Sequence, residues 1–292
     1  MEAVRLIALV VLAACGRLEF QSDVVGDAAG VDAACLGTGA FKDIQKIAAA
    51  STDDSQTAAF LSPDGLSVIW DQFDGANQRL HIATRSNRAA VFPAGDLIPG
   101  MFSAVDYFNA SITADGLELY FDSKATVTDC LYRATRTSTA APFDPPVELP
   151  TFCANGDVTG SQISADGLTL VFNSSLDSAG EGDLYITERA DRTSEFPAAK
   201  KLGGLPTGIG FPALSADRLR LWFEAESGTT LKIVSAVRIS PSDVFSQLRD
   251  LTEIDTAGDE GDPSLTLDES QLTFVSHRDG TYAAYIATRP CL

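Results

Sequence analysis

The fold of this protein is decided by the stretch Ser164–Phe172, whose sequence is SADGLTLVF. A tight turn built on Asp166 and Gly167 precedes a short segment with the alternating pattern of a β-strand. Related segments occur five times along the chain. Their turn aspartates lie 51 residues apart and are Asp64, Asp115, Asp166, Asp217 and Asp268. A constant period of this length indicates a repeat architecture.

Each repeat contains further strand segments. A second apolar segment ends at a repeated arginine, found at Arg85, Arg136, Arg189, Arg238 and Arg289. A phenylalanine follows seven residues later in the first four repeats, and it opens a short outer segment such as Pro146–Leu149. An inner segment such as Pro212–Ser215 precedes each turn. Four short antiparallel strands in about 50 residues are typical of a β-propeller blade.

The repeat count predicts a closed ring. The chain ends at residue 292, before a phenylalanine could follow Arg289. Phe41 precedes Asp64 by 23 residues, the same separation that links later phenylalanines to their turn aspartates. We therefore expect an all-β, five-bladed propeller over residues 41–292, closed by an N-terminal strand that joins the C-terminal blade.

The motif S-x-D-G-x-x-L-x-F, a loop over Ser174–Gly182 and the strand DLYITER at Asp183–Arg189 resemble a known family. They are similar to the WD40-like PD40 repeat of TolB-type envelope proteins. The resemblance covers about residues 41–289. It implies the propeller fold and carries little information on chemistry. Blades 4 and 5 depart from it, because Arg218 and Glu269 replace the turn glycine, and we expect another turn geometry there.

The N-terminal sequence predicts that the protein is exported. Residues 1–14 contain an apolar run too short to cross a bilayer, which is typical of a signal peptide. The junction Leu12–Cys15 resembles the lipobox of bacterial lipoproteins, which implies that Cys15 is lipidated. The alternatives are a plain signal peptide or a buried strand. Residues 15–40 have the composition of a flexible acidic tether. We expect a protein anchored by lipid in the bacterial envelope, at the outer membrane, facing the periplasm or the cell surface.

Four cysteines remain after Cys15, an even number that favours disulfides in an exported protein. Cys130 begins the third strand of blade 2 and Cys153 follows its fourth, so the two face each other across a hairpin. Cys35 and Cys291 lie at the two chain ends that meet in blade 5. We therefore predict the pairs Cys130–Cys153 and Cys35–Cys291. Free thiols in a reducing compartment are the alternative.

The charge limits the partners. With 40 acidic and 21 basic residues, the net charge is −19, which excludes nucleic acid and electrostatic docking on anionic lipid. Membrane contact is expected through the lipid anchor alone. The apolar fraction of 45% is sufficient for a core, and we expect a monomer.

Catalytic motifs are absent from the sequence. It contains no G-x-S-x-G, H-E-x-x-H or phosphate-binding loop, so we predict no catalytic residue and no cofactor. The turn aspartates recur with the symmetry of the repeat, which favours a structural role in accepting backbone N–H groups. His81 is expected to pack in its strand, and His277 lies in a polar loop.

A second set of acids precedes the inner strands and is expected to ring one mouth of the channel. These collar residues are Asp54, Asp106, Asp157, Asp259 and the neighbouring Glu260. Three aromatic residues, Tyr107, Phe108 and Phe152, are expected among the same loops. The collar could bind a cation, a partner with Lys or Arg, or a sugar, and oxygen donors would suit Ca²⁺. In the alternative, each acid only caps its own loop.

Three functions remain open. The first is a non-catalytic binding or scaffold module for an envelope protein or glycan. The second is a glycoside hydrolase-like propeller enzyme with paired carboxylates at the mouth, for which Glu260 is the asymmetric candidate. The third is an architectural spacer.

Overall fold

The computed structural model describes residues 37–51, 58–101, 105–123, 129–153, 158–175 and 182–290. The predicted signal peptide, Cys15 and most of the predicted tether lie outside these residues, as do Cys35, Cys291, Asp54 and Asp157. The last part of the predicted tether is described, and it is held on blade 5. There the backbone N–H groups of Gly37 and Thr38 donate to the carbonyls of Asp268 and Pro290.

The described residues form twenty strands in five four-stranded antiparallel sheets. In chain order the strands are β1 (Lys42–Lys46), β2 (Ala59–Leu61), β3 (Ser67–Phe73), β4 (Gln78–Thr84), β5 (Asp96–Leu97), β6 (Tyr107–Ile112), β7 (Glu118–Ser123), β8 (Cys130–Thr135), β9 (Val147–Glu148), β10 (Val158–Ile163), β11 (Thr169–Ser174), β12 (Asp183–Glu188), β13 (Lys200–Lys201), β14 (Ile209–Leu214), β15 (Arg220–Ser227), β16 (Thr230–Val237), β17 (Ser246–Asp250), β18 (Glu260–Leu265), β19 (Gln271–Ser276) and β20 (Ala283–Thr288). Single 3₁₀ turns occur at Ala48–Ala50 and Pro150–Phe152.

The sheets are the blades of a five-bladed β-propeller, which confirms the predicted fold. Blades 1 to 4 each consist of four consecutive strands, from β2–β5 to β14–β17. Blade 5 has the order β1-β20-β19-β18, so the N-terminal strand supplies its outer edge. The register pairs Lys42 with Thr288 and Lys46 with Tyr285. The predicted closure is therefore present.

The core lies between the blades. Five clusters of buried apolar side chains occur, and each joins two neighbouring blades. The cluster with Trp70 and Val275 joins blade 1 to blade 5, which completes the ring. This arrangement explains why the second strand of each blade is apolar on both faces, because each face packs against a different sheet.

The spacing of seven residues between arginine and phenylalanine has a physical cause. In every blade the guanidinium group lies over the ring, at 4.3 Å for Arg85 and Phe92 and 4.7 Å for Arg189 and Phe196. Arg289 lies 4.7 Å from the ring of Phe41, across the ring closure. Each repeated arginine also donates through Nε to a carbonyl of its own turn.

The five turns share one geometry. In each, the aspartate accepts a hydrogen bond from a Ser or Thr hydroxyl two residues earlier and from the backbone N–H two residues later. Arg218 and Glu269 have φ of 61° and 56°, close to the 76° of Gly167. The expectation of another geometry in blades 4 and 5 is therefore wrong. Ion pairs of both side chains with neighbouring strands help to hold this backbone conformation.

The structure contains the predicted disulfide between Cys130 and Cys153, whose Cα atoms lie 5.0 Å apart. Cys130 is buried at the start of β8, and Cys153 follows the 3₁₀ turn after β9. The bond therefore ties the outer edge of blade 2 to its third strand.

Candidate binding face and central channel

Two groups of loops open at the same end of the propeller. One group joins the second and third strands of each blade, and the other leads into the first strand. We call this end the mouth face; the aspartate turns lie at the opposite end, which we call the turn face. Of the predicted collar residues that the structure describes, Asp106 and Asp259 lie in loops of the mouth face.

Two collar aspartates cap the neighbouring blade. Asp106 of blade 2 accepts the backbone N–H of Gln78 of blade 1 at 2.8 Å. Asp259 of blade 5 accepts the backbone N–H of Leu231 of blade 4 at 2.9 Å. Each carboxylate thus connects two blades, whereas the sequence suggested a cap on the residue's own loop.

Glu260 is wholly buried. Its carboxylate accepts hydrogen bonds from Lys232 Nζ at 2.6 Å, Thr256 Oγ1 at 2.5 Å and Ser276 Oγ at 3.3 Å. These three hydrogen bonds, of which the one from Lys232 is also an ion pair, hold the loop before β18 against blade 4. This side chain does not reach the mouth face.

The expectation that Tyr107 and Phe152 stand among the mouth loops is wrong. Tyr107 begins β6 and packs edge-on against Phe121, and Phe152 packs in the same manner against Phe172. Both are buried because the strand or turn that carries them turns the ring into an interblade core. Phe108 lies in β6 and is half-buried.

The exposed aromatic residues of the mouth face are different ones. Tyr282 is 43% exposed and donates its hydroxyl hydrogen bond to Asp259 at 2.6 Å. The His277 ring lies 5.0 Å from the Tyr282 ring. Phe73 ends β3 and is 42% exposed. Tyr282 could have been noticed as an aromatic residue inside the polar loop SHRDGTY.

A column of polar side chains lies in the second strands of blades 1 to 4, and the sequence prediction did not include it. It stands seven residues after each turn aspartate and consists of Asp71, Asp122, Asn173 and Glu224. The equivalent residue of blade 5, Val275, packs in the apolar cluster between blades 5 and 1. Asp122 accepts the backbone N–H of Gly160 at 2.6 Å, and Glu224 accepts the backbone N–H of Asp262. In the sequence, this column is visible as a polar residue seven positions after the turn aspartate, inside a strand that is otherwise apolar.

The innermost strands line the channel with a second column. Asn109, Phe211 and Asp262 have φ near 50°, and Gly160 has φ of 60°. The pairing of the innermost strand with the second strand is interrupted by a bulge at this point. The backbone N–H groups of Gly160 and Asp262 turn there to the preceding blade. These residues border a cavity of about 40 Å³. The amide oxygen of Asn109 is buried there without a hydrogen-bond partner among the described residues.

The channel acids are held in a low-dielectric environment. Burial raises the pKa of Asp122 to about 7 although Asn109, Gly160 and Ser161 donate hydrogen bonds to it. Burial also raises the pKa of Glu224 to about 7. The pKa of Asp262 is raised by burial and by the negative charges of Glu224, Asp71 and Asp122. Glu224 and Asp262 are half-buried, whereas Asp122 is fully buried.

Metal ligands do not converge at the collar within the described part of the chain. One group of three Cys, Asp, Glu or His ligands has donor atoms within 4.8 Å of one another there, and it is Cys130, Glu148 and Cys153. Both sulfur atoms of this group belong to the disulfide, so the Glu148 carboxylate is the one ligand of the group that could still bind a metal ion. The described residues include no helix that is long and apolar enough to span a membrane.

Solved structures show what this fold is similar to. TolB from Acinetobacter baumannii matches with a TM-score of 0.52 at 15% identity, over 82% of this chain and 56% of that protein, so the present chain corresponds to only part of it. A putative TolB from Agrobacterium tumefaciens matches with a TM-score of 0.53 at 16% identity, over 85% and 97% of the two chains. A thermostable family-43 glycoside hydrolase matches with a TM-score of 0.56 at 10% identity, over 83% and 92%.

The likeness is one of fold. Sequence identities of 10 to 16% are too low to infer that this chain shares a functional site with any of these proteins. No protein-family model and no curated protein sequence matches the chain.

Proposed function

We propose that this protein is a non-catalytic, lipid-anchored binding propeller of the bacterial cell envelope that holds a protein or glycan partner on its mouth face. Similarity of fold to TolB-type propellers supports the envelope assignment. The PD40-like motifs and the signal sequence with Cys15 agree with it.

One observation carries the proposal. The described acids of the collar are already used in holding blades together: Asp106 and Asp259 cap neighbouring hairpins and Glu260 pairs with Lys232. A pair of carboxylates that served as acid and nucleophile would have to face substrate. What the mouth face offers instead is aromatic surface, at Tyr282 and Phe73, with hydrogen-bonding groups beside it. Such surface suits recognition of a polypeptide or a sugar ring.

Site-specific cross-linking in intact envelopes tests this proposal. A photoreactive phenylalanine at position 73 is expected to give a discrete adduct. The same group at Val147, which is 60% exposed on the outer edge of blade 2, serves as the control. Tyr282→Ala should reduce the adduct at position 73, whereas Asp106→Asn, which keeps the capping oxygen, tests the charge alone. No adduct above that at Val147 would contradict the proposal, and tolerance of all these substitutions in vivo would favour an architectural spacer.

The anchor is tested separately. Cys15→Ser should release the protein from the membrane fraction and abolish incorporation of labelled palmitate. A variant that stays membrane-bound without label would show that another segment makes the attachment.

A glycoside hydrolase is the second candidate, and one observation favours it. Asp262 lines the central cavity and Glu224 is its close neighbour, and the pKa values of both carboxyl groups are raised, as those of catalytic acids often are. The likeness to the family-43 glycoside hydrolase fits the same reading.

Turnover on a panel of polysaccharides distinguishes the two functions. Activity that is lost in Glu224→Gln would establish the enzyme and overturn the binding proposal. Glu260→Gln is the matched control, because Glu260 is buried away from the channel surface.

A further inference from the structure

On the turn face, a second arginine fills the cleft between two blades at two of the five interfaces. It stands three residues after the repeated arginine. Between blades 2 and 3, Arg192 donates through Nε to the Asp166 carbonyl at 2.8 Å and through Nη1 to the Asp115 carboxylate. Its guanidinium group thus joins the turn of its own blade to the turn aspartate of the preceding blade.

The same arrangement closes the cleft between blades 5 and 1. Arg88 donates through Nε to the Asp64 carbonyl at 2.7 Å and through Nη1 to the Asp268 carboxylate. In both clefts the acceptors are equivalent atoms: the carbonyl of one turn aspartate and the Oδ2 atom of the preceding one. The turn face therefore contains a recurring site for a guanidinium group.

Between blades 3 and 4 the second arginine is missing, because Pro241 stands at that position. A cavity of about 350 Å³ occupies the cleft, and Ser164, Asp166, Thr169, Glu188, Ser215 and Arg218 line it. This volume is in the range of pockets that take a small ligand, about 300–1,000 Å³. Asp166 is equivalent to Asp115 and Asp268, and it has no ion pair among the described residues.

Among the charged side chains of the cleft, Asp166 is the one that has no ion pair with a described residue. Arg218 pairs with Glu188 at the rim, and Arg189, which is buried beneath, pairs with Glu118 of blade 2. The Asp166 Oδ1 atom accepts the Ser164 hydroxyl and the Leu168 N–H, so the turn uses only one carboxylate oxygen. The other oxygen corresponds to the atom that accepts arginine in the two filled clefts.

We propose that the cleft between blades 3 and 4 is a socket for the guanidinium group of an arginine side chain presented by a partner polypeptide. The Asp166 carboxylate and the Asp217 carbonyl accept it, as their equivalents accept Arg192 and Arg88. The socket lies on the turn face, opposite the mouth face, and does not depend on the function proposed for that face.

Titration of the ¹⁵N-labelled full chain with the peptide acetyl-Gly-Arg-Gly-amide tests the proposal. The peptide should shift the amide signals of Gly167 and Ser215 in a saturable manner. The same peptide with citrulline, which is neutral and nearly isosteric, should shift neither. Asp166→Asn keeps the oxygen that the turn uses and removes the charge, so it should weaken binding about tenfold. Asp64→Asn, at the equivalent turn of blade 1, is the control that leaves affinity unchanged.

Equal shifts with citrulline, or unaltered affinity in Asp166→Asn, would overturn the proposal. If the amide spectrum shows that Asp166→Asn does not fold, Pro241→Arg decides instead. It supplies the second arginine that Arg192 and Arg88 provide in the two filled clefts, so it should occupy the socket and abolish binding of the arginine peptide. Unchanged binding in that variant would overturn the proposal equally.

Discussion

Arg189 of blade 3 donates a hydrogen bond to the Glu118 carboxylate of blade 2 at 2.7 Å, and the Arg189 side chain is fully buried. The Tyr120 hydroxyl donates to the same carboxylate at 2.7 Å. Arg189 also donates through Nε to the Gly167 carbonyl at 2.8 Å. Glu118 therefore connects a strand of blade 2 with the turn of blade 3, in a place that water barely reaches.

Glu118→Ala should lower the free energy of unfolding by about 3 kcal/mol, because it leaves the buried Arg189 charge without its partner. Glu118→Gln should cost less, since the amide oxygen still accepts hydrogen bonds. Urea denaturation with a constant slope measures the change. Ser67→Ala, at the equivalent position of blade 1, is the control and should change stability by less than about 0.5 kcal/mol. Equal effects of the alanine variants at the two positions would contradict a special role for this pair.

Asp122 should make the stability of the propeller depend on pH. Its folded-state pKa is raised from the ordinary value to about 7, so between about pH 4 and pH 7 the folded protein holds a proton that the unfolded chain has lost. The contribution of this group to stability is therefore fully present below about pH 4, declines through that window and levels off above it. Asp122→Asn removes the titration.

The measurement is the difference in unfolding free energy between Asp122→Asn and the wild type across the pH range. This difference should rise in favour of the variant from pH 4 to pH 7 and then remain constant. The charged neighbours Asp129 and Asp262 are present in both proteins, so their own titrations largely cancel. A difference that is flat over this window would show that Asp122 is ionised throughout.

The disulfide should contribute measurably to stability. It links residues separated by 23 positions, and closing a loop of that length in the unfolded chain is worth about 3 kcal/mol in the chain-entropy model. Cys130→Ser/Cys153→Ser should melt at a lower temperature than the oxidised wild type. Dithiothreitol should lower the wild-type melting temperature by more than that of the double variant, which keeps only the predicted Cys35–Cys291 pair. Equal sensitivity of both proteins to reduction would place the stabilising bond elsewhere.

The fold was predictable because its determinants recur within single repeats. The period of the turn aspartates and the distance from each arginine to its phenylalanine both report contacts inside one blade, including the contact of Arg289 with Phe41 that closes the ring. The site was harder to predict, because its contacts join different blades. The sequence of the repeat that contains Asp106 does not indicate that this carboxylate accepts a hydrogen bond from the backbone N–H of Gln78 in the preceding repeat.

The inner strands explain the misplaced aromatic residues. The sequence predicts that these strands begin near the proline of segments such as Pro212–Ser215. They begin three residues earlier in blade 4, at Ile209, because a bulge with a left-handed residue at Phe211 extends the pairing. The equivalent extension in blade 2 places Tyr107 inside a strand and therefore inside the core. Local patterns of alternation do not reveal such a bulge.

The two turns without glycine should respond in opposite ways to its restoration. Arg218 and Glu269 both hold φ near 60°, which costs a residue with a Cβ atom about 1 kcal/mol relative to glycine. The Arg218 side chain pairs only with the exposed Glu188, so Arg218→Gly should be neutral or stabilising by up to about 1 kcal/mol. The buried Glu269 carboxylate pairs with Arg220 at 2.6 Å and Arg289 at 2.7 Å, so Glu269→Gly should destabilise by about 2–3 kcal/mol. Chemical denaturation of the two variants side by side tests this contrast. Stabilisation by Glu269→Gly would mean that backbone strain, rather than the paired arginines, dominates at the junction of blades 4 and 5.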